Sequence, residues 1–215
     1  SSVPAVASVS SNGVVTGKIG GTTTITYTDV NGCEQTHDVT VNGLPAVNAG
    51  TDYSVCEGTQ ISLSGGGANS YTWDNGVTNG SLFTPTATAT YTVTGSNSNN
   101  CSNTDQITVT VNPVPTISGS TTVCEGEDIS LSIDINGGTW DSDDDGIATV
   151  NSSGVVTGVG SGTTNITYTV NGCTDEYSVT VYAKPTISGS LTATAGGSSV
   201  TLSGSGTAFG TNGWN

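Results

Sequence analysis

Three prolines, Pro45, Pro115 and Pro185, stand 70 residues apart, and each closes the same kind of phrase: TVNGLP, TVNPVP and TVYAKP. A fixed period of this length constrains the fold strongly, because each repeat must be one structural unit joined to its neighbours. Each phrase ends an apolar–polar alternation, and proline there stops one strand and stiffens the passage to the next. The period predicts the back part of a module at 1–43, complete modules at 44–113 and 114–183, and the front part of a module at 184–215. Linkers are expected near 42–45, 112–115 and 182–185.

Inside the period the alternation has a step of two. It is plain in TTTITYT (22–28), QISLSG (60–65), ATYTVTG (89–95), QITVTVN (106–112), DISLSI (128–133), TNITYTV (164–170) and EYSVTVY (176–182). Each reads as a strand with one apolar face. Eight Asn-Gly pairs, among them Asn12-Gly13 and Asn171-Gly172, supply tight turns. Methionine and arginine are absent, and strong helix formers are scarce. The expected class is all-β: tandem sandwiches of about 70 residues, each with six or seven short strands.

The modules also match each other in sequence. VASVSSNGVVTGKIGGTTTITYTDVNGC (6–33) aligns with IATVNSSGVVTGVGSGTTNITYTVNGC (147–173), with one inserted residue near Asp29. TISGSTTVCEGEDISLS (116–132) aligns with TISGSLTATAGGSSVTLS (186–203). The stretch ATVNSSGVVTGVGSGTTNITYTV resembles bacterial immunoglobulin-like group 2 domains. VCEGTQISLSGGGANSYTWDNG, with TPTATATYTVTG and NCSNTDQITVTV, is similar to the related Ig-like and PKD-like modules of Bacteroidota surface proteins. That resemblance implies an immunoglobulin-like sandwich and an extracellular setting. It points to adhesins of gliding bacteria and appendage proteins exported by the type IX system. It leaves spacer, stalk and binder open, since one fold serves all three.

Trp214 stands where Trp140 does, and Ser1 where Ser142 does. NGWN followed by SSVPAVASV therefore reads as an uninterrupted module, and the expectation is one period of a longer array.

The five cysteines are Cys33, Cys56, Cys101, Cys124 and Cys173. An odd count without metal-like spacing fits a disulfide framework of an oxidising compartment. Two pairings are open. Within modules, Cys56 joins Cys101 and Cys124 joins Cys173. Across linkers, Cys33 joins Cys56 and Cys101 joins Cys124, which in extended modules spans roughly 50 Å, against the ~5.5 Å that a disulfide allows. The within-module scheme is the expectation, its loops adding roughly 4 kcal/mol each, provided the cysteines sit on neighbouring strands rather than at opposite poles. Cys33 is then unpaired within the chain. Thr194 stands where Cys124 does, which leaves Cys33 a free thiol in a seamless array.

Trp73 falls between Cys56 and Cys101, and Trp140 between Cys124 and Cys173. That order resembles the Cys–Trp–Cys core of immunoglobulin domains, and core packing is expected for Trp73, Trp140 and Trp214. A sugar-stacking surface is the alternative, favoured if Tyr71 and Trp73 are exposed together.

Asp141, Asp143, Asp145 and Gly146 spell the opening of a calcium loop, but Ser152 stands where the closing glutamate is needed. An acidic turn is the first expectation, with Asp141, Asp143 and Asp145 as candidate calcium ligands. His37 is the single histidine and has no evident catalytic partner. No serine has a recognisable base beside it. An enzyme is not expected, nor any cofactor beyond a structural calcium.

Seventeen acidic residues against Lys18 and Lys184 give a net charge of -15. This argues against nucleic acid and against an anionic membrane surface. The expected function is a structural segment of a long extracellular fibre or adhesin, serving attachment, gliding or contact with prey and neighbouring cells. Its expected partners are copies of itself or adjacent modules of the same chain. A carbohydrate- or protein-binding module and a spacer in a secreted hydrolase are the alternatives. Distal ligand, module number and fibre stoichiometry have no signature in these residues.

Overall fold

The computed structural model describes residues 1–189 and 202–204. Among them every regular element is a strand. The chain divides into two compact units, Ser1–Asn112 and Pro113–Asn215. The division falls in the linker expected at 112–115.

The first unit begins with two hairpins. β1 (Ala7–Val9) pairs antiparallel with β2 (Val15–Gly17), and β3 (Gly21–Thr28) with β4 (Glu34–Val41). Then come β5 (Tyr53–Cys56), β6 (Ile61–Ser62), β7 (Ser70–Trp73), β8 (Leu82–Phe83), β9 (Ala89–Ser96) and β10 (Ser102–Asn112). They form a four-stranded sheet in the order β5-β10-β9-β7, faced by the short pair β6-β8. The alternation seen in ATYTVTG holds: Tyr91 and Val93 point inward with Ile107 and Val109 of β10. Ile61, Leu63 and Trp73 close this core.

The second unit contains β11 (Ile117–Gly119), β12 (Thr122–Cys124), β13 (Asp128–Ile133), β14 (Thr139–Ser142), β15 (Ala148–Val150), β16 (Val155–Gly158), β17 (Gly162–Val170) and β18 (Cys173–Tyr182). Two four-stranded sheets, β11-β13-β16-β15 and β12-β18-β17-β14, make the sandwich. Its core is Ile117, Val123, Leu131, Val156, Ile166 and Val179 with their neighbours. β19 (Ile187–Gly189) and β20 (Leu202–Gly204) form a further antiparallel pair. The strand-rich reading, the step-of-two burial and the sandwich are all present in this unit.

Asn171 and Gly172 both adopt positive φ, 51° and 79°. This is the two-residue turn that matches strand twist, and Val170 pairs directly with Cys173 across it. In the first unit the inserted residue near Asp29 replaces that turn with a longer loop. Asp29 Oδ1 accepts from the amides of Asn31 and Cys33, both at 2.8 Å. The β9–β10 loop is built likewise: Asn97 Oδ1 accepts from Asn99 and Cys101, both at 3.0 Å.

Two threonines at equivalent positions differ in one testable respect. Thr23 is buried, and its Oγ1 accepts from the Val3 amide at 3.0 Å and lies 2.8 Å from Ser1 Oγ. Thr164 is buried too, and its Oγ1 has no partner among the described residues. A desolvated hydroxyl without a partner costs free energy that an isosteric methyl does not. Thr164→Val therefore raises stability by about 1 kcal/mol in urea melts, whereas Thr23→Val lowers it by leaving the Val3 amide unpaired.

Candidate functional site

The strand register fixes two poles for each complete module. At one pole the first segment enters beside the start of the last strand. Ala49 N donates to Asp105 Oδ2 on β10, and Ile117 N to Asp175 Oδ2 on β18, each at 2.8 Å. At the other pole an early strand runs beside the last strand in the same direction. β5 pairs parallel with β10, ending at Cys56 opposite Asn112, and β12 with β18, ending at Cys124 opposite Tyr182. Each module is thus entered at one pole and left at the other.

This geometry corrects the expected disulfides. Cys101 lies next to Ser102, the start of β10, while Cys56 lies opposite the end of β10. The strand between them covers about 33 Å at ~3.3 Å per residue. Cys173 opens β18 and Cys124 sits opposite its last residue, about 30 Å away by the same measure. A disulfide needs Cα atoms within about 7 Å, so neither Cys56–Cys101 nor Cys124–Cys173 forms. Cys56 and Cys173 are each disulfide-bonded. Cys101 and Cys124 carry free thiols, as does Cys33, which is exposed like Cys124. The cysteines therefore form two positional kinds. Cys33, Cys101 and Cys173 mark the entry pole, Cys56 and Cys124 the exit pole.

Trp73 is buried in the first unit's core, and its Nε1 donates to Asn79 Oδ1 at 3.0 Å. The same oxygen accepts from Gly65 N at 2.8 Å, so Asn79 ties the indole to the backbone. Tyr71 is half-buried, its hydroxyl donating to the Ala68 carbonyl at 2.7 Å. These two rings do not form the exposed pair that a sugar-stacking surface needs. Trp140 is half-buried against the second core, its ring 4.8 Å from that of Tyr168. It lines a hollow of about 330 Å³ with Gly137, Ser152 and Tyr168. Trp214 lies outside the described residues. His37 is exposed on β4, opposite Ile25.

The acidic loop turns on Asp144. Its Oδ1 accepts from Gly146 N at 2.9 Å, and its carbonyl accepts from Ile147 and Ala148. Asp141 sits on β14 opposite Thr167, and Asp143, whose amide donates to the Asn165 carbonyl, is exposed like Asp145. Among the described residues no group of three acidic, thiol or imidazole side chains converges as a metal site requires. With no gathered cage, millimolar calcium is expected to leave the melting temperature unchanged; an upward shift on calcium, reversed by chelator, would establish binding at Asp141, Asp143 and Asp145.

The carboxylates at the entry poles went unrecognised in the sequence. Their only signal is an acid two or four residues from the entry-pole cysteine, as in CTD and DVNGC. The Ala49 amide holds Asp105 below the usual carboxylate range, helped by the Gln106 amide. Asp29 is lowered in the same way, first by the Cys33 amide. A carboxylate whose folded pKa is depressed contributes stability above its unfolded value, near 3.9, and loses it as pH falls through the folded value. Denaturation midpoints measured from pH 7 down to pH 2 should therefore fall more steeply for the wild type than for Asp105→Asn.

Residues 103–181 match the bacterial Ig-like domain (group 2). The match spans nearly all of β10, the first unit's last strand, and nearly all of the second sandwich. The match agrees with the all-β, immunoglobulin-like fold of the second sandwich. Solved structures with similarity include the N-terminal eight Ig domains of Down Syndrome Cell Adhesion Molecule, at 17% identity, 84% of this chain, 31% of that one and a TM-score of 0.46. The insect immune protein hemolin matches at 15% identity over 85% of this chain and 63% of its own, with a TM-score of 0.36. A C-terminal 282-residue intimin fragment, solved with the intimin-binding domain of its translocated receptor, matches at 19% identity, 79% and 60% coverage and a TM-score of 0.38. The chain thus spans less than two thirds of each of these. No curated protein matches it.

Proposed function

We propose that this chain is a structural segment of an extracellular adhesin or fibre, a stalk of immunoglobulin-like modules that carries tension between a surface and a distal binding element. The observation that carries this reading is the passage of the chain through each module. It enters at one pole and leaves at the other, and the last strand has a parallel partner from the module's entering segment in both β5–β10 and β12–β18, the latter following β11. A pull on the ends of such a module runs along those strands and loads their hydrogen bonds together, in shear. An antiparallel terminal pair would instead peel one bond at a time.

The oxidised cysteines support an oxidising, extracellular setting. The acidic surface supports solubility without nonspecific capture of other anionic surfaces. The conspicuous side chains have structural duties: Trp73 is in the core, and Asp105 and Asp175 hold amides. This favours a non-enzymatic role. The finer setting we propose is the type IX-exported adhesins and appendages of Bacteroidota, on the sequence resemblance alone.

The test is immunogold electron microscopy of intact cells with antibody raised against residues 44–183. Gold strung along thin surface projections is the expected result. Label confined to the cell interior, or to a secreted hydrolase in the medium, overturns it.

A further inference from the structure

Trp73 and Trp140 occupy comparable places and end differently. Trp73 lies on β7 and Trp140 on β14, each the edge strand of the sheet that holds its module's last strand. Trp73 is buried, and its Nε1 is committed to Asn79. The residue at the same spacing after Trp140 is Gly146, which has no side chain to offer. Trp140 Nε1 has no partner among the described residues, and it is not sealed from solvent as the Thr164 hydroxyl is. The solvent space beside Trp140 is the hollow of about 330 Å³ between the β13–β14 loop and the β15–β16 turn.

The indole is nonetheless fixed in place. The ring of Tyr168 lies 4.8 Å from it, and the Tyr168 hydroxyl is itself held by the Gly138 amide at 2.7 Å. The nitrogen-side edge of the indole rests over Gly154, where an added Cβ would meet Cζ2 at 3.0 Å. Asn151 Oδ1 holds that turn, accepting from Ser153 N at 2.9 Å and Val155 N at 3.1 Å. A ring so placed needs little reordering to receive a ligand, which keeps the entropic cost of binding low.

The chemistry of the walls selects the ligand. Ser132, Asn136, Ser152 and Ser153 line the hollow, and their exposed side chains make no hydrogen bond among the described residues. With Trp140 Nε1 they offer both donors and acceptors. Among the described residues no charged side chain lines the hollow, so nothing in it pairs with a phosphate, a carboxylate or an ammonium group. The net charge of -15 further disfavours anions. An aromatic ring beside neutral hydroxyl and amide groups suits a ligand that is uncharged, rich in hydroxyls and apolar on one face. A pyranose ring has that composition, with C–H groups on its face and hydroxyls around its rim.

We propose that the Trp140 hollow binds a neutral pyranose sugar, its C–H groups against the indole and its hydroxyls bonded to Trp140 Nε1 and to Ser132, Asn136, Ser152 and Ser153. Sugar stacking thus fails at Tyr71 and Trp73 and finds its geometry in the second module. This goes beyond the stalk reading and does not depend on it, since a stalk bears tension with or without such a site.

The experiment is titration of the full isotope-labelled chain with neutral sugars, read by nuclear magnetic resonance at the indole N–H signals. The probes are glucose, galactose, mannose and N-acetylglucosamine, each as the reducing sugar and as its methyl glycoside. They are added to about 50 mM, well above the roughly millimolar Kd expected of so small a ligand. Trp140→Phe assigns the Trp140 signal by removing it. The expected result is a saturable shift of that signal by at least one sugar, with the Trp73 signal unmoved. A preference for the methyl glycoside assigns the end of a glycan, and a preference for the reducing sugar assigns a free sugar. Asn136→Ala and Ser153→Ala, both at exposed positions, each weaken binding about fivefold. No shift with any sugar overturns the proposal. So does a shift shared by Trp73, equal binding of the charged sugars glucuronate and glucosamine, or affinity unchanged in the Asn136→Ala, Ser153→Ala double variant.

Discussion

Ile166→Ala lowers the stability of the Pro113–Asn215 unit by about 2–5 kcal/mol, and Ile25→Ala costs the first unit less than about 1 kcal/mol. The two isoleucines occupy equivalent positions on β17 and β3, opposite Tyr177 and His37. Ile166 is fully buried among Val156, Val179 and their neighbours, so truncation there removes transfer free energy and leaves a cavity. Ile25 is only half-buried, on the face that carries the exposed Tyr27. Water already reaches it, and no cavity opens. Urea melts of the two variants measure the difference. Equal losses would mean that the β1–β4 face already has a packed core.

Trp73→Ala is the second large effect, about 3–5 kcal/mol in the first unit. The indole fills the core formed by Ile61, Leu63, Tyr91, Val93 and Ile107. Its loss also removes the bond that holds Asn79 in place. Asn79→Ala leaves the indole buried but strips partners from both Trp73 Nε1 and Gly65 N; about 1–3 kcal/mol is expected. If Asn79→Ala were neutral, the asparagine would be a surface turn residue and not an anchor of the core. The emission of Trp73 reports Asn79→Ala directly, since exposure of the indole shifts it to longer wavelength, and urea melts measure the loss in Trp73→Ala.

The strands were legible because local physics writes them into the chain. Alternation in ATYTVTG and TNITYTV marks one buried face, and Asn171-Gly172 can hardly be anything but a tight hairpin turn. The cysteine pairing was not legible. It depends on which pole each cysteine occupies, and that follows from the parallel placement of β5 beside β10 and β12 beside β18. Parallel pairing joins residues more than 50 positions apart, and nothing in VCEG or NGC alone encodes it. The unequal burial of Tyr27 and Tyr168 is absent from the phrase ITYT, which both share, and follows instead from the period, which reads 1–43 as only the back part of a module. The acidic loop reads as a turn first and a calcium loop second. Its D-x-D-x-D-G spelling suggests convergence, whereas the chain folds it around Asp144 with Asp141 already committed to β14.

The most direct measurement of the central claim is single-molecule pulling of the full chain from its two ends, with all cysteines reduced. The parallel pairs β5–β10 and β12–β18 should give two distinct force peaks, each well above the force that opens the β3–β4 hairpin, which unzips bond by bond. Forced unfolding reports the barrier to leaving the native state, so the peaks should rise with pulling speed. Modules that open at or below the hairpin's force would contradict a tension-bearing stalk.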